Sequence, residues 1–160
     1  MASESVYIET TIFSYLAAKE PRDPILAAHH QMTRAWWERD RHQYHLVSSA
    51  IVLREIAAGN QEMAAKRMAL ATGIELLAIS PPVEALAETL LTRGLVPRTV
   101  VDDALHLAVA TIGQTAYLLT WNLRHMAGAV ARRRIENELR QLGYNPPTIC
   151  TPEDLKAAYD

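Results

Sequence analysis

Short apolar segments alternate with helical segments along the whole chain, and this alternation limits the possible folds more than any other feature. Residues 6–8, 44–47, 74–79, 117–120 and 148–150 have the β-branched and apolar content of short strands. Helical patterns cover residues 12–16, 24–39, 51–58, 62–71, 83–93, 99–112 and 127–142, and Thr151 is placed to begin a terminal helix. Strands that alternate with helices are typical of parallel sheets covered on both faces. The sequence therefore predicts a three-layer α/β/α sandwich with a mainly parallel central sheet of about four to five strands.

Size, charge and cysteine content exclude several classes of protein. The 160 residues contain no linker and fit one domain, residues 1–160. Sixteen Lys and Arg against eighteen Asp and Glu give a net charge of −2, which excludes a globally basic nucleic-acid binder but not a local basic patch. The single cysteine, Cys150, excludes an internal disulfide and a multi-cysteine metal cage, so we expect a small buried residue there. The apolar runs are shorter than the roughly 18 residues of a membrane span, and the N-terminus lacks a secretory signal, so we expect a cytoplasmic protein without membrane contact.

Polar side chains lie where the predicted strands end. Parallel sheets place their sites at the carboxyl ends of the strands, and Glu9, Ser49 and Asn122 each follow such an end. Glu55 is on the inward face of the next helix and Asp103 begins an apolar helix, so both carboxylates need a partner such as a cation. The adjacent Asp102 is rotated about 100° from Asp103 on the helix, and we assign it to the helix cap.

Four segments in this order resemble the four motifs of PIN-domain nucleases. They are residues 6–12, with Glu9 and Thr10; residues 49–55, with Ser49 and Glu55; residues 103–108, with Asp103; and residues 118–122, with Thr120 and Asn122. The resemblance spans nearly the whole chain and is strongest to VapC-like toxins of bacterial toxin–antitoxin pairs. Two positions depart from the family pattern, which usually has aspartate where this chain has Glu9 and Asn122.

The resemblance implies a metal-dependent endoribonuclease, the toxin of such a pair. It implies that Glu9, Glu55 and Asp103 bind one or two Mg²⁺ or Mn²⁺ ions, and that Asn122 completes the catalytic set by orienting a metal-bound water. Carboxylate oxygens suit these hard cations. Three hydroxyls, those of Thr10, Ser49 and Thr120, would support the ligands, and Arg124 and His125 would contact the RNA phosphate. The implied partners are RNA, a small antitoxin protein and a second copy of the chain, with the apolar stripes of residues 24–39 and 62–71 as contact surfaces.

Other interpretations remain open. Because Asn122 removes one negative charge, the second hypothesis is a PIN-like module that binds nucleic acid or protein without catalysis. A phosphatase or nucleotide hydrolase with the same metal cluster is a third hypothesis. His106, one helical turn after Asp103, is interpreted as a hydrogen-bonded core histidine in preference to a catalytic base, and Trp36 and Trp37 as core residues in preference to base-stacking ones. The nucleotide-binding, zinc-protease and serine-hydrolase motifs are absent from the sequence.

Overall fold

The protein has an α/β fold built on five parallel strands, as predicted. A computed structural model describes residues 3–156. The strands are β1 (Ser5–Ile8), β2 (His45–Ser49), β3 (Glu75–Leu77), β4 (Tyr117–Leu119) and β5 (Thr148–Cys150). Their order across the sheet is β3-β2-β1-β4-β5, and every neighbouring pair is parallel. The strand β1, in which three of the four residues are buried, is therefore central.

Within the described part of the chain, seven α-helices connect the strands. They are α1 (Thr10–Ala17), α2 (Pro24–Ala35), α3 (Ala50–Ile56), α4 (Gln61–Ala71), α5 (Pro81–Thr92), α6 (Val101–Ile112) and α7 (Ala129–Gln141). Two wider, π-helical turns occur at Trp36–Asp40 and Leu123–Ala127, and 3₁₀ turns at Arg41–Gln43 and Arg98–Val100. Among residues 3–156, none of the helices combines the length and the apolar content that a bilayer crossing needs.

The strand order places the helices on the two faces of the sheet. The chain moves outward from β1 to β2 and β3, then returns past β1 to β4 and β5. Because parallel crossovers are right-handed, the two directions of travel put α1–α4 on one face and α5–α7 on the other. The contacts agree with this assignment, since α1 packs against α2, α3 and α4, whereas α5 packs against α6. An ion pair between Arg93 and Glu138 joins α5 to α7.

The core is centred on β1 and α6. Val6, Tyr7 and Ile8 have no exposed surface, and α6 is buried along most of its length, as its apolar sequence predicts. Trp36 and Trp37 belong to the core, which confirms that interpretation for both. Cys150 is also buried, and burial raises the pKa of its thiol to about 12, so it is the inert core residue expected.

Ser49 is at the N-cap position of α3, but its hydroxyl makes no capping bond and instead bonds Tyr7. Two local predictions were wrong. Asp102 does not cap α6; its carboxylate pairs with Arg54 of α3 at 2.5 Å. Thr151 does accept a hydrogen bond from the backbone N–H of Asp154, as a capping residue would, yet the chain from there to residue 156 forms turns and not a helix. The remainder of the predicted terminal helix lies outside the described residues.

Candidate functional site

The candidate site lies where the direction of the chain crossovers changes. The crossovers leave β1 and β4 in opposite directions, and such a switch point opens a crevice at the carboxyl ends of the strands. Glu9 follows β1 directly, and Thr120 and Asn122 follow β4. The neighbouring β2 leads into α3, which carries Glu55, and α6 carries Asp103. The topology thus brings four separated segments to one edge of the sheet.

Glu9 is held in a fixed position by the ends of both central strands. Its side chain is 3% exposed, and Oε1 accepts hydrogen bonds from the Thr11 N–H, from Thr11 Oγ1 and from Thr120 Oγ1, the last at 2.6 Å. These three donors come from two chain segments, so they fix the carboxylate across the switch point. Its second oxygen, Oε2, has no hydrogen-bond donor within residues 3–156, which leaves it available to a cation.

Glu55 is held by one oxygen in the same way. Oε1 accepts from Thr10 Oγ1 and from His106 Nε2, each at 2.6 Å, and the side chain is 29% exposed. Burial disfavours the ionised carboxylate, but the hydrogen bond and the charge of His106 outweigh it and hold the pKa of Glu55 below its usual range. Glu55 is therefore ionised at neutral pH, and its Oε2 has no donor in the described chain.

A buried chain of side chains lies behind Glu55. His106 has no exposed surface, and its Nδ1 lies 2.8 Å from the hydroxyl of Tyr7, which in turn lies 2.7 Å from Ser49 Oγ. Burial lowers the pKa of His106, but the hydrogen bond that it donates to Glu55 and the charges of the nearby carboxylates raise it by more, so the net shift is upward. Burial also raises the pKa of Tyr7, which stays protonated.

Asp103 and Asn122 form the other half of the site. Asn122 Oδ1 accepts a hydrogen bond from the backbone N–H of His125, so the amide must turn its Nδ2 away, and Nδ2 donates to Asp103 Oδ2 at 3.1 Å. Burial and the charge of Glu9 raise the pKa of Asp103, while this hydrogen bond and the charge of His125 partly oppose the shift. Asn122 thus acts as a donor to Asp103, and its oxygen already has a partner.

The donor atoms fit a hard divalent cation. Glu9, Glu55 and His106 each offer one ligand atom within 4.8 Å of the others. Both nitrogens of His106 are already hydrogen-bonded, so a metal–histidine bond would have to break the 2.6 Å contact with Glu55. The free oxygens of Glu9 and Glu55 are the better ligands, and such an oxygen set is typical of Mg²⁺ or Mn²⁺. Asp103 lies outside this compact group but close enough for Glu9 to affect its pKa.

The remaining predicted residues surround these carboxylates. Thr10 and Thr120 bond Glu55 and Glu9, whereas Ser49 reaches Glu55 only through Tyr7 and His106. Arg124 is exposed and His125 half-buried, both in the turn after Asn122. An open cleft of about 380 Å³ borders Glu55 and Asp103 and is lined further by Thr99, Val100, Val101 and Asp102.

Sequence reasoning missed the contributions of Tyr7 and Thr11. Tyr7 bears a hydroxyl between Val6 and Ile8 in the central strand, which is the signal that was available for it. Thr11 Oγ1 donates to Glu9 and accepts from the backbone N–H of Trp121 at 2.8 Å, a role that depends on the contact between β1 and β4.

Comparison of the chain with protein-family models and with curated proteins found no match in either set.

Proposed function

We propose that this chain is a divalent-metal-dependent endoribonuclease that hydrolyses RNA phosphodiester bonds, with the PIN-like organisation suggested by its four motifs. The observation that carries the proposal is the pair of carboxylates Glu9 and Glu55. Each is fixed through one oxygen by hydroxyl or imidazole donors and leaves the other oxygen without a donor among residues 3–156. Neither free oxygen is among the buried polar atoms that lack a partner in the described residues, so each is reached by solvent and is open to a cation.

Each residue would make a distinct contribution to the reaction. A Mg²⁺ or Mn²⁺ ion bound here would polarise the phosphate and lower the pKa of a bound water. Glu9 and Glu55 would hold one or two such ions, and Asp103 would add negative charge beside them. Asn122 keeps the carboxylate of Asp103 oriented through its 3.1 Å hydrogen bond. Arg124 and His125 are the cationic residues nearest to Asn122 in the chain and would contact the RNA phosphates.

A second function is favoured by the orientation of Asn122. Its amide oxygen is bonded to the His125 N–H and its amide nitrogen to Asp103, so it supplies no anionic oxygen to the site. A PIN-like module that binds RNA or protein without cleaving it would need none. This alternative predicts RNA binding without turnover.

Partner proteins are proposed on the same resemblance. A toxin of this kind would act on RNA in the cytoplasm, would be inhibited by a small antitoxin and would form a homodimer. Three apolar side chains on the stripes of α2 and α4 support such contacts, because Ile25 is 67%, Leu26 44% and Met68 38% exposed.

The test is cleavage of a single-stranded RNA by purified protein in EDTA, Mg²⁺ and Mn²⁺. We expect slow cleavage that requires the metal and is faster with Mn²⁺, whose geometry is less restrictive than that of Mg²⁺. Glu55→Gln should abolish it, whereas Glu75→Gln, an exposed glutamate of β3, should leave it unchanged. Equal cleavage by wild type and Glu55→Gln would assign the activity to a contaminant, and RNA binding without cleavage would favour the second function.

A further inference from the structure

The buried series of side chains Ser49, Tyr7 and His106 ends on a proposed metal ligand, Glu55. Tyr7 and His106 have no exposed surface, and their polar atoms meet at 2.8 Å in the centre of the fold. Burying two polar side chains is unfavourable unless each is hydrogen-bonded. Here Ser49 bonds the hydroxyl of Tyr7, this hydroxyl bonds Nδ1 of His106, and Nε2 of His106 donates to Glu55 Oε1.

We propose that His106 is a positioning residue of the metal site: through Nε2 it holds Oε1 of Glu55, through Nδ1 it is itself held by Tyr7, and it thereby leaves Oε2 of Glu55 to bind the cation. This inference rests on the proposed metal-dependent function. It means that the affinity of the site for the metal ion depends partly on residues that the ion does not contact.

The hydrogen bonds determine which atom of His106 carries the proton. A carboxylate only accepts, so Nε2 must be the N–H that donates to Glu55 across 2.6 Å. Nδ1 faces the Tyr7 hydroxyl, which donates to Nδ1 or accepts from it according to the charge of the ring, while Ser49 supplies the complementary bond at 2.7 Å. His106 therefore keeps its hold on Glu55 without moving any heavy atom.

Thr10 shows why this hold matters. Glu55 Oε1 accepts from Thr10 Oγ1 and His106 Nε2, which come from two different elements, α1 and α6. Two donors on one oxygen fix the rotation of the carboxylate, whereas Thr10 alone would leave the side chain, 29% exposed, free to turn toward solvent. Loss of such an outer partner typically weakens metal binding by about 10–100-fold.

The experiment is a titration with Mn²⁺, followed by electron paramagnetic resonance of the free ion and without any RNA. His106→Leu removes the donor to Glu55, and we expect Mn²⁺ affinity to fall by about 10–100-fold. His106→Gln keeps an N–H at about the position of Nε2 and should recover most of the affinity. Tyr7→Phe, which releases Nδ1, should give an intermediate loss and serves as the second measurement if His106→Leu does not fold.

The matched control is His45→Gln. His45 also pairs with a glutamate, Glu75, at 3.2 Å, but both side chains are exposed and lie on β2 and β3 away from the site. This variant should bind Mn²⁺ as wild type does.

Three outcomes would contradict the proposal. If wild type binds Mn²⁺ and folded His106→Leu binds it equally well, the positioning role is refuted while the metal site stands. If the bound Mn²⁺ shows electron spin echo modulation from a directly coordinated nitrogen, His106 is a ligand and not a positioning residue. If wild type does not bind Mn²⁺ at all, the proposed function and this inference both fail.

Discussion

Replacing Asn122 with aspartate tests the reasoning about the site most directly. Aspartate at this position would keep the oxygen that accepts from the His125 N–H and would place its second oxygen where Nδ2 now lies, 3.1 Å from Asp103 Oδ2. A favourable hydrogen bond would become a contact between two carboxylates. At an effective dielectric constant of 20, two unit charges at this distance repel by about 5 kcal/mol. Small rotations of the two side chains away from each other relieve most of this repulsion.

The loss of the hydrogen bond from Asn122 to the Asp103 carboxylate is not relieved. A hydrogen bond to a charged group is worth about 1.5–3 kcal/mol. In EDTA we therefore expect Asn122→Asp to lower Tm by roughly 3–12 °C, given about 2–4 °C per kcal/mol for a chain of this size. Added Mn²⁺ should narrow the difference in Tm between Asn122→Asp and wild type, because a cation between the two carboxylates removes their repulsion. Because wild type binds the ion as well, the gap closes by the difference in affinity: a hundredfold tighter Kd for Asn122→Asp would stabilise it by about 2.7 kcal/mol more than wild type at saturating Mn²⁺.

Thermal unfolding in EDTA and in a series of Mn²⁺ concentrations is the assay. Asn122→Ala is the control, since it also loses the hydrogen bond to Asp103, and that from the His125 N–H as well, without adding charge, and it should gain nothing from Mn²⁺ beyond the wild-type response. RNA cleavage by Asn122→Asp should also be faster than that of wild type at low metal concentration. The proposed contact between residue 122 and Asp103 beside a metal site is refuted if Asn122→Asp is as stable as wild type in EDTA, or if Mn²⁺ leaves the difference in Tm unchanged.

Three further predictions concern the same residues. Asp103→Asn should preserve or raise Tm in EDTA, because it removes a carboxylate whose pKa burial and Glu9 raise while keeping an acceptor for Asn122; a clear fall in Tm would instead assign Asp103 a stabilising ionic role. The folded pKa of Glu55 lies below its unfolded value of about 4.3, so its ionised form stabilises the fold above that pH, and the stabilisation is lost as the pH falls through the lower native value. Urea unfolding of wild type and Glu55→Gln between pH 7 and pH 2 should show the stability advantage of wild type shrinking only at the acidic end, and an advantage that persists there would contradict the assignment. Tyr7→Phe leaves Nδ1 of His106 buried without its partner and should lower the free energy of unfolding by about 1–3 kcal/mol, whereas Tyr117→Phe, whose hydroxyl reaches Glu4 only at 3.5 Å, should change it by less than about 0.5 kcal/mol.

Element order and fold class followed from the sequence because hydrophobic periodicity is a local property. The five short strands were expected at nearly their observed positions, and the strand over residues 148–150 agrees at both ends. Larger differences occur where a turn has unusual geometry. The last long helix was expected from residue 127 but begins at Ala129, because the π-helical turn Leu123–Ala127 comes first and brings the carbonyl of Leu123 against Gly128. A side chain at Gly128 would collide with that carbonyl, so glycine is required there.

The sequence by itself determined that this chain forms a parallel α/β sheet and that Glu9, Ser49 and Asn122 follow strand ends, since each depends on residues adjacent in the chain. Only the tertiary structure decided what these side chains do. Ser49 bonds Tyr7 and not its own helix, the amide of Asn122 donates to Asp103, and His106 joins Tyr7 to Glu55 across 99 and 51 residues of sequence. The physical reason is that hydrogen bonding is directional and acts over about 3 Å. The partner of each hydrogen-bonding group is determined only when packing brings distant segments together. Hydrophobic periodicity along the sequence therefore does not predict it.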